Sequence, residues 1–272
     1  MPHTILVTGA SSGIGKATAR YFQEQGWNVI ATMRNTDAGQ DLAELDNVLV
    51  ARLDVTDSTS IETAVKAGVE RFGGIDALLN NAGYGAFGPL EAFPMESVRR
   101  QFDTNVIGLI EVTKAVLPLF RAQQSGTIVN VSSVGGKITM PLGTLYHGTK
   151  FAVEGMSEAL HYELAPLGIK VKIIQPGAIE TDFGGRSFDF NNDESLVEYQ
   201  ATVDRVMTAV GTIMGQASPA REVAEVIWQA VTDGSDQMRY LAAGGAEDFI
   251  GERQALDDAA YFDTIKTRFS LQ

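Results

Sequence analysis

Tyr146 and Lys150, four residues apart in Leu145-Tyr146-His147-Gly148-Thr149-Lys150-Phe151, are the side chains of this sequence best suited to moving a proton. A four-residue step puts both on one face of a helix. An ammonium held there can draw a phenol from its ordinary pKa of about 10 toward the range that proton transfer at neutral pH requires. At about 5 Å and an effective dielectric near 20 the attraction is worth roughly 3 kcal/mol, against about 1.4 kcal/mol per pKa unit. Phe151, Val153 and Met156 give the pair an apolar setting. Ser132 and Ser133 end an apolar run at Asn130-Val131, where a substrate carbonyl would lie, and the residues alone do not choose between the two hydroxyls.

The second chemical feature opens the chain. In Thr8-Gly9-Ala10-Ser11-Ser12-Gly13-Ile14-Gly15 the glycines follow an apolar run and precede a helical pattern. That context allows a tight turn, close approach of backbone to a pyrophosphate, and a helix amino terminus with unpaired N–H groups. The spacing of Gly9, Gly13 and Gly15 departs from the Gly-x-Gly-x-x-Gly form. At the end of the second apolar run, where an acid would accept hydrogen bonds from ribose hydroxyls, stands Arg34. An arginine there suits a 2′-phosphate, so NADP(H) is favoured, with NAD(H) possible. A seat for a dinucleotide beside an acid–base pair points to oxidoreduction.

Elements that could position these groups are legible as alternation. Apolar, β-branched runs at Thr4 to Thr8, Val29 to Thr32, Val48 to Leu53, Ala77 to Leu79, Thr127 to Val131, Lys170 to Ile174 and Met238 to Leu241 predict strands. Helical periodicity fills the intervals, for example Gly15 to Gln25, Ser58 to Arg71, Met95 to Arg121, Tyr146 to Ala165 and Pro219 to Thr232. Apolar strands separated by helices imply an α/β fold, a Rossmann-type doubly wound parallel sheet of about seven strands with helices on both faces. Ligands then sit beyond the carboxyl ends of the strands. The expectation is one domain over residues 1–272. Within it, 183–216 is a candidate substrate lid. The tail 244–272, apolar at Phe249, Leu256, Tyr261, Phe262 and Phe269, is expected to pack on the domain or a partner.

Composition excludes several classes. A net charge of −13 argues against a nucleic-acid partner, which needs clustered Lys and Arg. No run of some 18 apolar residues predicts a membrane span, and no targeting segment is apparent. Zero cysteines exclude disulfides and thiolate metal sites and fit a cytoplasmic protein. His3, His147 and His161 lack paired ligand spacing, so they are expected to be packing or surface residues, with no catalytic metal.

From Thr4 to Asp182 the chain resembles the single-domain branch of the short-chain dehydrogenase/reductase family. The matching residues occur in order: the glycine turn, Asp54-Val55, Asn80-Asn81-Ala82-Gly83, Asn105, Ser133, Tyr146-x-x-x-Lys150 and Pro176-Gly177-x-x-x-Thr181. The resemblance implies that Ser133 orients a substrate oxygen, that Tyr146 is general acid or base, and that Lys150 holds the ribose and tunes the phenol. It implies that Asn105 closes a water-mediated proton path. It also implies cofactor contacts from Gly9, Ser11, Ser12, Gly13, Ile14 and Gly15 at the phosphates, Arg34, Asp54 and Val55 at the adenosine, and Asn81, Ala82 and Gly83 beside it. Pro176, Gly177, Ile179 and Thr181 would serve the carboxamide end. Gly148 and Thr149 stand where relatives often carry Ala or Ser.

The expected activity is NADP-dependent interconversion of a carbonyl and an alcohol, with a small apolar substrate and a homodimeric assembly. Tyr84, Phe87, Pro89, Met140, Leu142, Leu145, Phe183, Phe188, Tyr199 and Met207 are the candidate pocket walls. The alternatives are a catalytically silent NADP-binding sensor and a sugar-nucleotide epimerase or dehydratase.

Overall fold

Successive strand side chains point to opposite faces, so a strand apolar at every position needs cover on both. Thr4–Thr8 (β1) is such a strand, with all five residues buried. Ile5 and Val7 join one apolar cluster while Leu6 joins the other. Asn28–Met33 (β2) repeats the pattern, sending Val29 and Ala31 one way and Ile30 the other. In the computed structural model, which describes residues 2–180 and 187–271, these strands are central in a seven-stranded sheet.

The remaining members are Val48–Arg52 (β3), Ala77–Asn80 (β4), Gly126–Val131 (β5), Ile169–Pro176 (β6) and Arg239–Ala242 (β7). Every pairing is parallel, in the order β7-β6-β5-β4-β1-β2-β3. The order reverses between β1 and β4, and a doubly wound sheet opens a crevice at such a point. All seven expected strands are present, with boundaries moved by a few residues. The edge strand β3 is only partly buried, although Val48 and Val50 pack on one cluster and Leu49 and Ala51 on the other.

Helices cover both faces: Gly13–Glu24 (α1), Ser58–Phe72 (α2), Met95–Phe102 (α3), Gly108–Gln123 (α4), Thr144–Leu164 (α5), Val197–Met214 (α6) and Ala220–Thr232 (α7). Asp57 caps α2 by accepting from Ser60 N–H, and Gly73 ends it with φ +85°, a left-handed stop that glycine takes without strain. Helices α3 and α4 are joined without a break by a π-helical turn, Asp103–Ile107. Trp27, Phe22 and Trp228 meet edge to face at 5.1 to 5.8 Å and tie α1 to α7 on one side of the sheet.

The tail forms two more helices, Ala246–Ala255 (α8) and Asp258–Arg268 (α9). Tyr261, Ile265 and Phe269 are buried in a third apolar cluster with Val134, Ile138 and Val206, so the tail packs on its own domain and backs α6. Phe262 departs from the expectation, since it is half exposed while its neighbour Tyr261 takes the inward face of α9. Gly148 also has an answer in part. Gly148 is exposed on α5, and among the described residues a Cβ there would meet only the Phe102 ring at 3.5 Å, so none of them requires glycine. Among the described residues no helix is long and apolar enough to cross a membrane.

Candidate active site

The glycine turn is built by close approach. A Cβ at Gly15 would sit 2.3 Å from Gly9 O and 2.5 Å from Asn81 Nδ2, and Gly9 and Gly13 adopt φ of +70° and +53°. Thr8 Oγ1 accepts from the N–H groups of Asn81 (2.9 Å) and Ala82 (3.0 Å), while Asn81 Nδ2 donates to Thr8 O at 2.9 Å. Asn81, expected at the cofactor, lines the cleft, and its amide also clips the turn to the end of β4. Ser12 precedes α1 without a side-chain cap, which leaves the first N–H groups of that helix to face the cleft.

One cleft of about 1020 Å³ runs over the carboxyl edge of the sheet from this turn to α6. Gly9, Ser11, Ser12, Gly13 and Ile14 line one end, with Arg34, Asp54 and Val55 beside them. Ala82, Gly83, Pro176, Gly177 and Ile179 line its middle. Gly15 is not a wall residue; it serves the turn from below. Thr181 lies outside the described residues, as does Phe183. Arg34 is exposed, and its guanidinium bonds to no described residue, so it is free to meet an anion.

At the middle of the cleft stand Ser132, Ser133, Tyr146 and Lys150. The fold chooses between the serines. Ser133 Oγ accepts from Gly135 N–H at 3.0 Å and lies on the phenol side, where its hydroxyl favours the Tyr146 phenolate. Ser132 Oγ is buried without a hydrogen-bond partner among the described residues, against the position a Cβ on Gly136 would take at 2.6 Å. Phe87 packs on Tyr146 with ring centroids 5.1 Å apart. Lys150 Nζ donates to Val131 O at 2.9 Å and lies 5.8 Å from the Tyr146 ring centre.

The electrostatics correct one expectation. Burial pushes the Tyr146 phenol up to about 12, with Ser133 opposing, rather than Lys150 drawing it toward neutrality. Burial also brings Lys150 down to about 8, against the pull of Glu154 one turn along α5. Removing both groups from water disfavours the ion each would form, and that cost outweighs their attraction in the protein alone. The phenol is therefore an acid at neutral pH.

Asn105 sits in the π-helical turn, buried. Its Oδ1 accepts from Tyr84 N–H (3.1 Å), and its Nδ2 donates to Tyr84 O (2.8 Å) and Thr149 Oγ1 (3.2 Å). It fixes the backbone at Tyr84 to the turn of α5 that carries Lys150, and it is not itself a cleft wall.

A model of the family described as short chain dehydrogenase matches residues 3–192. The chain belongs to the short-chain dehydrogenase/reductase family. It is 42% identical over 239 residues to an uncharacterized oxidoreductase of Schizosaccharomyces pombe, covering 88% of this chain and 100% of that one. It is 30% identical over 246 residues to an NADPH-dependent 3-dehydrocapnine reductase of Ornithobacterium rhinotracheale, covering 88% and 87%. The crystal structure of a short-chain dehydrogenase from Streptomyces avermitilis superposes with a TM-score of 0.81 at 33% identity, over 99% of this chain and 95% of that one. Further solved neighbours hold NADP, NADPH or NADH. The protein is thus an oxidoreductase of the short-chain dehydrogenase/reductase family, with its single-domain architecture.

Against that family frame, the substrate side of the cleft differs from the sequence reading. Tyr84, Phe87, Met140, Leu142, Phe188 and Met207 are walls as expected. Leu145 is instead packed inward with Ala86 and Phe93, Pro89 begins a short turn, and Tyr199 donates to Glu91 Oε2 at 3.2 Å on the outer surface. Missed were Val206, Val210, Gly211, Ile213 and Met214 of α6 and Phe249 of α8. The i, i+3, i+4 spacing of 206, 210, 213 and 214 was the available signal. Arg100 also lines the cleft, but it is paired to Asp189 and donates to Tyr84 Oη at 3.1 Å, so its charge is matched locally.

His147, expected to be a packing or surface residue, packs in a specific way. Its Nε2 accepts from Met140 N–H at 2.9 Å, which requires the proton on Nδ1, and Nδ1–H donates to Gly135 O at 2.8 Å. The ring thereby ties the loop between Ser133 and Gly143 to α5. A Cβ at Gly143 would meet the ring at 2.5 Å, so glycine makes room for it. Burial lowers its pKa from 6.5. The unfolded chain then takes up a proton that the folded one does not. Stability from this group is complete above pH 6.5 and falls as pH drops from there toward the lowered folded value. We expect urea midpoints of the wild type to fall over that window, and a His147→Gln variant to lose part of the pH slope. An identical slope in both proteins would count against this tie.

Proposed function

We propose that the protein is an NADP(H)-dependent carbonyl reductase, running in reverse as an alcohol dehydrogenase. The observation that carries this reading is a single cleft joining an anion-binding helix terminus and an Arg34 that bonds to no described residue to a half-buried, protonated Tyr146 beside Ser133 and Lys150. The NADPH-dependent relative and the neighbours solved with nicotinamide cofactors support it.

The residues fit such a cofactor. The uncapped N–H groups of α1 would hold its phosphates and Arg34 a 2′-phosphate, with Asp54 and Val55 at the adenosine and Ile179 at the nicotinamide end. When bound, the cofactor supplies hydride to the carbonyl carbon. Ser133 Oγ–H donates to the carbonyl oxygen and fixes its position. Tyr146 Oη–H then transfers its proton to that oxygen as negative charge develops, completing the alcohol. Lys150, anchored on Val131 O, offers an ammonium to the ribose and to the phenolate left behind. Asn105 supports this through Thr149 and Tyr84, and a water path to Lys150 past it belongs to the same proposal. In this reading 183–216 is the substrate lid, of which 183–186 lie outside the described residues and the rest includes α6. An epimerase or dehydratase would require a larger substrate domain than α6, α8 and α9 supply. A panel of ketones and aldehydes followed at the NADPH absorbance band tests the reading, and no turnover of any carbonyl would overturn it.

The assembly we propose is a homodimer. Ile107, at the end of the π-helical turn before α4, is 48% exposed, and Phe151 and Tyr162 of α5, on which that turn packs, are 46% and 70% exposed, an apolar surface that a second copy would cover. Sedimentation at micromolar concentration should give twice the 29.2 kDa chain mass, and Phe151→Glu should shift it toward the monomer. A monomeric wild type, or a tetramer, would refute the dimer.

A further inference from the structure

Past Tyr146 the cleft continues along α6. Six residues of that helix line it, Val206, Met207, Val210, Gly211, Ile213 and Met214, and each is apolar or glycine. The polar residues of the same stretch are engaged elsewhere. Arg205 donates to Ser270 O, and Thr208 and Thr212 donate to carbonyls one turn back on the helix. From Val206 to Met214 the strip is about 12 Å long at 1.5 Å per residue. Phe249, Met140 and Leu142 complete its walls, and the buried Tyr261, Ile265 and Phe269 hold it from behind.

Two details describe its occupant. Met207 and Met214 are about one-third exposed, and unbranched thioethers adapt their shape to whatever lies on them. At Gly211 an added Cβ would meet nothing within 4 Å. Glycine inside a helix is less stabilising than alanine, yet here no described protein atom needs the space. Gly211 is exposed and lines the cleft, so a side chain added there would narrow it.

Resting on the carbonyl-reductase reading, we propose that the substrates are long-chain aliphatic carbonyl compounds whose alkyl chain lies along the Val206–Met214 strip, with Gly211 setting how much chain it admits. The reaction balances as above: hydride from the reduced cofactor to the carbonyl carbon, and the Tyr146 proton to its oxygen. Each methylene moved from water onto such a strip adds up to about fourfold in affinity.

The test uses the product class and reads binding apart from turnover. Butanol, octanol and decanol are titrated calorimetrically into the protein saturated with NADP⁺, and their oxidation is followed separately. Octanol should bind at least tenfold more tightly than butanol. Gly211→Leu should lower the decanol-to-butanol affinity ratio at least tenfold, while Thr212→Leu, on the same helix but off the strip, should keep the wild-type ratio. Equal affinity for all three alcohols would overturn the proposal, as would an unchanged ratio in Gly211→Leu. Chain-length dependence in binding with no oxidation of any alcohol would uphold the strip and count against the reductase reading.

Discussion

Replacing Tyr146 with phenylalanine is expected to lower kcat by roughly 10²- to 10⁴-fold, the usual worth of a positioned general acid, with NADPH still bound. The ring keeps its packing on Phe87 and its place on α5, so only the hydroxyl is lost. Fluorescence titration of NADPH and single-turnover kinetics on wild type and variant measure the two terms, and a fully active variant would remove the tyrosine from the chemistry. The direction of the phenol shift adds a pH dependence. With the phenol held at about 12, it is protonated through the neutral range, so carbonyl reduction should be flat there. Alcohol oxidation needs the phenolate and should rise with pH. A bound cofactor's positive ring would ease that ionisation, as would Lys150 while it remains an ammonium, which it ceases to be above about 8.

Arg34→Ala is expected to collapse a preference for NADPH over NADH of roughly ten- to a hundred-fold, since a charge-assisted contact to a 2′-phosphate is worth about 1.5 to 3 kcal/mol. A chain of net charge −13 must hold that phosphate by a local cation. The nearby Lys16 and Arg20 are both committed to Asp41, which their pairing keeps below the usual carboxylate range. Arg34 has no such partner among the described residues and lines the cleft. The loss should appear in the KM for NADPH, with NADH kinetics little changed. Steady-state rates with both cofactors decide it, and equal use of NADH and NADPH by the wild type would overturn the assignment at once.

The sequence by itself determined the sheet, the glycine turn and the acid–base pair, because each is written in short-range pattern. β1 to β7 are apolar runs between periodic helices; Gly9, Gly13 and Gly15 are backbone requirements; Tyr146 and Lys150 share a helix face by spacing alone. Tertiary structure decided what depends on distant segments meeting. Ser133 was separated from Ser132 by where Gly136 and Tyr146 lie, and Asn81 became a clip because Thr8 is within reach. The phenol pKa rose because burial, which no spacing reveals, outweighs a cation on the next turn. Leu145 and Tyr199 left the expected pocket, and Gly211 and Phe249 joined it, because an amphipathic pattern says that a face is covered but not by what. The tail helices settle that for α6, burying Val206 against Tyr261, Ile265 and Phe269 at the floor of the strip and leaving Met207, Gly211 and Met214 open to the cleft.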